Sequence, residues 1–173
     1  MQSFEKVDVK SLGNSIKAIG DDWMLITVAD EKNSKVNAMT ASWGALGVLW
    51  NLPVCICFIR PERYTYKLLE SKKEFSIAFL GKNMRSALTI CGRQSGADCD
   101  KLSVCGLTTM ELDGVPVIAE ADAALVCKVL YEGAIEENGF VDKSLLSNYE
   151  SAGYHAMFVC EVINAYRKEK ELK

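Results

Sequence analysis

At 173 residues and 49% hydrophobic content, the chain has enough apolar mass for the core of one ordinary domain, so a single domain over 1–173 is expected. A formal net charge of -3 gives no positive field to hold a polyanion, which argues against nucleic acid as a partner. Glu5, Lys6, Asp8 and Lys10 interrupt the first ten residues and no apolar run approaches ~18 residues, so neither a secretory signal nor a membrane span is expected. Seven cysteines cannot all pair internally, and there is no C-x-x-C pair and a single histidine, His155. That usage fits a reducing cytoplasm without a structural metal.

In chain order, Trp23 to Ala29 is rich in β-favouring residues and predicts a strand, followed by a turn over the polar stretch Asp30 to Lys35. Val36 to Trp50 (VNAMTASWGALGVLW) reads as a strand interrupted by small and polar residues. Val54 to Ile59 (VCICFI) is a continuous apolar run stopped by Arg60-Pro61, the pattern of a strand buried on both faces, with Cys55 and Cys57 on one side. Thr65 to Lys73 predicts a helix ending in two lysines, and Phe75 to Leu80 another strand.

Asn83 can cap a second helix through Met84, Ala87, Leu88 and Ile90, and Ser95-Gly-Ala-Asp98 has the S-x-x-D pattern of a third helix start. Asp113-Gly114 is a two-residue hairpin turn between Thr109–Leu112 and Val115–Ile118, where Pro116 argues for an edge. Ala123 to Ala134 and Ala156 to Ala165 supply two more strands around the polar stretch Glu136 to Ser151, and the charged tail from Arg167 is expected to fray. Six or more strands with three short helices, too irregular for repeating βαβ units, predict a mainly β fold: an antiparallel closed or split barrel with helical insertions. Periodicity alone leaves a sandwich open.

Two stretches carry chemistry. In Val36 to Trp50, the small residues Ala38, Ala41, Gly44 and Gly47 would let a flat ring approach the backbone, although a close-packed barrel bend gives the same pattern. In Arg60-Pro-Glu-Arg-Tyr-Thr-Tyr-Lys67, unpaired amides at a helix start, the Thr65 hydroxyl and one or two guanidinium groups could cradle a phosphate, although a solvated surface turn looks alike. A flat ring and a phosphate joined by one short strand describe flavin mononucleotide, FMN.

The sequence also resembles the flavin reductase-like, FMN-binding split-barrel family, which includes flavoredoxins and ferric reductases. The resemblance rests on Asn37-Ala-Met-Thr-Ala-Ser-Trp43, Arg60-Pro-Glu-Arg-Tyr-Thr65, Ser95-Gly-Ala-Asp-Cys-Asp-Lys101 and Gly114-Val-Pro-Val-Ile-Ala-Glu120, in that order. It implies that Asn37, Met39, Thr40, Ala41, Ser42 and Trp43 lie beside the flavin ring. It implies further that Arg60, Tyr64, Thr65 and Lys101 hold the ribityl phosphate. His155 matches a histidine near the flavin in some relatives, yet Tyr154 stands where an acid is usual, so no catalytic residue is assigned firmly.

The implied activity is that of an NAD(P)H-dependent flavin reductase-type oxidoreductase. Hydride reaches bound flavin, and electrons pass to free flavin, ferric iron or a protein acceptor. A flavoredoxin-like electron carrier and a non-catalytic FMN- or heme-binding split barrel are the alternatives. No G-x-G-x-x-G fingerprint occurs, which suits transient nicotinamide docking. Relatives form homodimers, and Leu49 and Trp50 supply apolar bulk for such an interface.

Overall fold

The computed structural model describes residues 3–168, apart from the side chain of Lys82. Its strands are β1 (Phe4–Val7), β2 (Met24–Asp30), β3 (Lys35–Ala41), β4 (Gly44–Leu49), β5 (Leu52–Ile59), β6 (Glu74–Phe79), β7 (Thr109–Leu112), β8 (Val115–Ile118), β9 (Ala123–Ala134) and β10 (Ala156–Lys168). The helices are α1 (Ser15–Gly20), α2 (Tyr64–Lys72), α3 (Arg85–Arg93) and α4 (Lys101–Cys105). All pairings are antiparallel, in the sheet order β3-β2-β6-β9-β10-β5-β4, with β1 added beside β10 and β7-β8 forming a separate hairpin. This is the mainly β, antiparallel barrel with helical insertions that the strand pattern predicts.

The long strand β10 organises the sheet. Register irregularities at Val159/Cys160 and Val162/Asn164 bend it, which lets Ala156–Glu161 pair with β5 while Val7 to Phe4 of β1 pair with its far end. Phe75, Phe158, Leu69, Ile77 and Leu125 are fully buried inside the curve, with Cys55, Cys57, Cys127 and Cys160 filling the space between larger side chains. No helix among the described residues is long and apolar enough to cross a membrane.

Several sequence expectations are corrected. Val36 to Trp50 is not one strand: β3 ends at Ala41, and β4 returns along β5 through a two-residue turn at Trp50-Asn51, where both φ angles are positive (53° and 59°). Bulky tryptophan rarely adopts that conformation, which hid the turn. Ser95 to Asp98 forms a turn rather than a helix start. The third predicted helix begins at Lys101 because the Asp100 carboxylate accepts from the Ser103 amide at 3.2 Å and so caps it.

The second helix starts at Arg85 after a 3₁₀ turn over Lys82–Met84, without a side-chain cap from Asn83. Arg167 and Lys168 do not fray, since they extend β10 against Glu5 and Phe4, and the Arg167 guanidinium donates to the Ser11 carbonyl at 2.5 Å. The rest of the charged tail lies outside the described residues. Unanticipated were β1 and α1, short elements with weak local signals. The Asp113-Gly114 hairpin is as expected, with φ of 52° and 77°.

Phe158 is wholly buried and meets Tyr66 edge-on at 5.8 Å between centroids. Phe158→Ala is expected to cost about 3–5 kcal/mol of stability, measured by urea denaturation, because the curved sheet cannot close over the vacated ring.

Candidate functional site

The two ends of the sheet order, β3 and β4, are consecutive in sequence and joined only by Ser42-Trp43. The two-residue link crosses the split in the barrel. As β3 pairs on one side only, with β2, alternate backbone N–H and C=O groups along its free edge have no strand partner among the described residues. At this edge lies a cavity of about 250 Å³ lined by Met39 to Trp43, Phe58 to Arg60, Arg63 and His155. A second cavity, of about 180 Å³, opens where α2 begins. Thr65, Gly96 and Lys101 are among its lining residues, and it shares Met39 and Arg63 with the first.

The second cavity is built around a buried tie between elements. Asn37 on β3 donates from Nδ2 to the Thr65 hydroxyl on α2 at 2.7 Å, with both side chains at most 3% exposed. Accepting that bond leaves the threonine proton free to be donated. Thr65 stands in the first turn of α2, where amides lack intrahelical acceptors and the helix dipole is positive. The Asn37 Oδ1 is buried with no hydrogen-bond partner among the described residues. Gly96 leaves that oxygen room, for a Cβ there would stand 1.8 Å from it, and Lys35 fixes the same loop by donating to the Gly96 carbonyl at 2.9 Å.

Lys101 is the only fully buried lysine among the described residues, at 4% exposure, and its ammonium is held by the carbonyls of Cys91 and Gln94, each at 3.3 Å. Burial lowers its pKa, against an opposing pull from Cys91 and more weakly from Cys99 and Cys105, while the positive charge of Arg63 lowers it further. Burial pushes the neighbouring Cys91 thiol up to about 12, Cys105 raising it further and the Lys101 charge pulling it back. Arg63 itself donates to the Met39 sulfur at 3.4 Å and to the Gly92 carbonyl at 2.5 Å. The Thr65 hydroxyl, helix-start amides and the cations of Lys101 and Arg63, neither of them in a salt bridge among the described residues, make a fitting receptor for a phosphate, with Glu62 also in the lining.

The residues singled out from sequence divide between the cavities. Met39, Thr40, Ala41, Ser42, Trp43, Arg60 and His155 border the larger one, and Tyr64, Thr65 and Lys101 the smaller, with Asn37 buried behind Thr65. Arg60 stands apart from the expected phosphate group, its guanidinium donating to the carbonyls of Gly153 (3.0 Å) and Asn148 (3.2 Å). The Tyr64 hydroxyl is likewise occupied, donating to Asp30 at 2.6 Å. Burial opposes ionisation of that aspartate, but the hydrogen bonds from Tyr64 and Asn33 prevail and lower its pKa. Thr40 donates to the Leu88 carbonyl at 2.5 Å, tying β3 to α3. Sequence reasoning allowed a second guanidinium in Arg60–Lys67 without assigning Arg63, and it passed over Arg93 and Gly96; the position of Arg63 just before the helix was a usable signal.

The flavin reductase like domain matches the chain over residues 18–173. The chain belongs to this family. Among solved structures, an FMN-binding domain of a flavin reductase-like enzyme from Shewanella baltica shares 21% identity and a TM-score of 0.69, covering 96% of this chain and 78% of its own. Flavoredoxin of Desulfovibrio vulgaris shares 23% and 0.69, with coverages of 96% and 80%. An NADH:FAD oxidoreductase from Streptomyces globisporus shares 22% and 0.62, with coverages of 95% and 90%. No curated protein sequence matches significantly. At these identities the likeness speaks for the fold, and split-barrel members occur among the neighbours.

His155 packs against Trp43 at 5.0 Å between ring centroids, and its Nδ1 is buried without a hydrogen-bond partner among the described residues. Burial lowers its pKa and the Arg60 cation lowers it further, against a weaker opposite pull from Glu62. Since the unfolded chain takes up the proton at the ordinary histidine value and the folded chain only below it, stability is complete above about 6.5 and declines as pH falls through the folded midpoint. As His155 is the single histidine, one imidazole NMR titration reads it directly. The midpoint is expected below 6.5; a midpoint at or above 6.5 would show the ring to be solvated.

Proposed function

We propose that this chain holds FMN, its ring against Met39 to Trp43 and its phosphate at the start of α2, and works as an oxidoreductase that takes hydride from NAD(P)H. The observation that carries the reading is the adjacency of the two cavities, which share Met39 and Arg63 in their walls and so set a ring-sized space beside a site lined by Arg63, Arg93 and Lys101 as well as Glu62. Thr65, the first-turn amides of α2, Lys101 and Arg63 would bind and neutralise the phosphate, while Gly96 and Asn37 shape its wall. The free edge of β3 would offer backbone groups to the polar rim of the ring. FMN supplies the hydride acceptance and electron release, and the side chains here bind, orient and control access.

An NADH:FAD oxidoreductase with this fold supports a nicotinamide donor, which would dock transiently at the mouth beside Trp43 and His155. The electrons would go to free flavin, ferric iron or a protein. Purified protein is expected to show oxidised-flavin absorption, or to acquire it on adding FMN, and to bleach rapidly with NADH or NADPH without air. Bleaching only with a reduced protein donor would favour an electron carrier, and failure to take up FMN would overturn the reading. Thr65→Ala and Lys101→Met are each expected to weaken FMN binding about tenfold to hundredfold, as loss of ~1.5–3 kcal/mol for a charge-assisted contact requires.

We also propose a homodimer formed through the β4 edge. Val48, Leu49 and Trp50 are 75%, 40% and 55% exposed there, and Trp50 is held at the turn tip in the left-handed region. Apolar side chains along an unpaired strand edge invite a second copy. Sedimentation velocity is expected to give a dimer for the native chain and a monomer for Val48→Asp/Trp50→Glu; a native monomer at micromolar concentration would refute this.

A further inference from the structure

We propose that Arg60 is a positioning residue that clasps residues 136–154 as an aromatic flap at the mouth of the larger cavity, and so sets how freely a redox partner reaches a flavin held there; the second clause rests on the function proposed above. The flap leaves the barrel where β9 ends at Ala134 and rejoins it where β10 begins at Ala156. Its two 3₁₀ turns, Glu137–Gly139 and Lys143–Tyr149, contain no buried residue. Its hydrogen bonds are mostly local, such as Asn148 to the Leu145 carbonyl and Ser144 to Asp142. A segment with so little buried surface opens readily unless something fastens it.

The fastening is aromatic and cationic. Tyr149 and Tyr154 stack at 4.8 Å, and Phe140 meets Tyr149 edge-on at 5.7 Å. Tyr149 meets His155 edge-on at 5.7 Å, and His155 meets Trp43, so ring contacts run unbroken from the flap to the cavity wall. Among the described residues, Arg60 gives both hydrogen bonds from the barrel to residues 136–153, to the carbonyls of Asn148 and Gly153. Its guanidinium also lies 5.6 Å from the centre of the Tyr149 ring. Arg60 lines the cavity at the same time. A planar fork spreads its donors over separate nitrogens and so reaches two carbonyls while facing a ring, whereas an ammonium must make every contact from one nitrogen.

Hydrogen–deuterium exchange on the full chain tests the clasp without any flavin. In Arg60→Ala the amides of 136–154 are expected to exchange about tenfold faster while those of β2, β6 and β9 keep their rates, with Arg60→Lys recovering only part of the protection. Unchanged exchange in the flap overturns the proposal. If Arg60→Ala loses the fold, Tyr149→Ala decides by the same comparison, since it removes the ring facing the guanidinium and leaves the cavity lining intact. On FMN-loaded protein, quenching of flavin emission by acrylamide is expected to rise about threefold in Tyr149→Ala, a direct measure of access. Faster exchange with unchanged quenching overturns the control of access. A chain that takes up no FMN overturns the proposed function instead, and the exchange result still decides the clasp.

Discussion

A two-residue link governs the site. Two residues suffice for a hairpin, as Trp50-Asn51 shows between β4 and β5. Yet β3 and β4, joined by Ser42-Trp43, do not pair with each other and stand at opposite ends of the sheet order, so the barrel is left open between them. Edge backbone left unpaired inside a protein is costly unless water, a neighbour or a ligand satisfies it. The fold therefore places its free donors and acceptors along the strand where the larger cavity lies. Small side chains on either side keep the backbone accessible, and Gly44 is required there, since a Cβ would stand 2.6 Å from the Ile56 carbonyl.

Charge supplies the second constraint. Lys101 pays for burial with a lowered pKa, and the carbonyls that hold it satisfy its protons without neutralising its charge. Arg63 stands close enough to lower that pKa further, so two like charges face one small cavity. A dianion in the cavity would offset the repulsion between the two charges by attraction to both. The arrangement is destabilising when considered as part of a core and favourable when considered as a receptor, which is why the buried cation outranks the exposed ones as a functional signal.

Much of this was legible in the sequence, for identifiable reasons. The runs of Val54–Ile59 and Ala123–Ala134 are long and apolar enough to settle as strands, and Asp113-Gly114 can adopt positive φ at little cost, so the local signal and the tertiary structure agree. The break after Ala41 was not legible, because nothing local distinguishes a strand that bends from two strands at opposite sheet edges. Trp50 at positive φ even argues against the turn it occupies. Likewise Thr65 and Lys101, 36 positions apart, converge through packing of α4 and β3 that no spacing rule encodes. The resemblance to the family linked them where periodicity could not.

Arg60 and Arg63 show how far sequence proximity can mislead about role. Both flank the same turn, bonded Arg63 amide to Arg60 carbonyl at 2.9 Å, and both carry a fork of donors. Arg60 ends a buried strand, so its side chain leaves the barrel toward the segment between β9 and β10 and finds carbonyls there. Arg63 precedes α2 and turns toward Met39 and the Gly92 carbonyl, between the two cavities. A turn with two residues between them thus sends one guanidinium to fasten the entrance and the other to the junction of the site. The chemistry of the two side chains is identical, and direction alone separates their work.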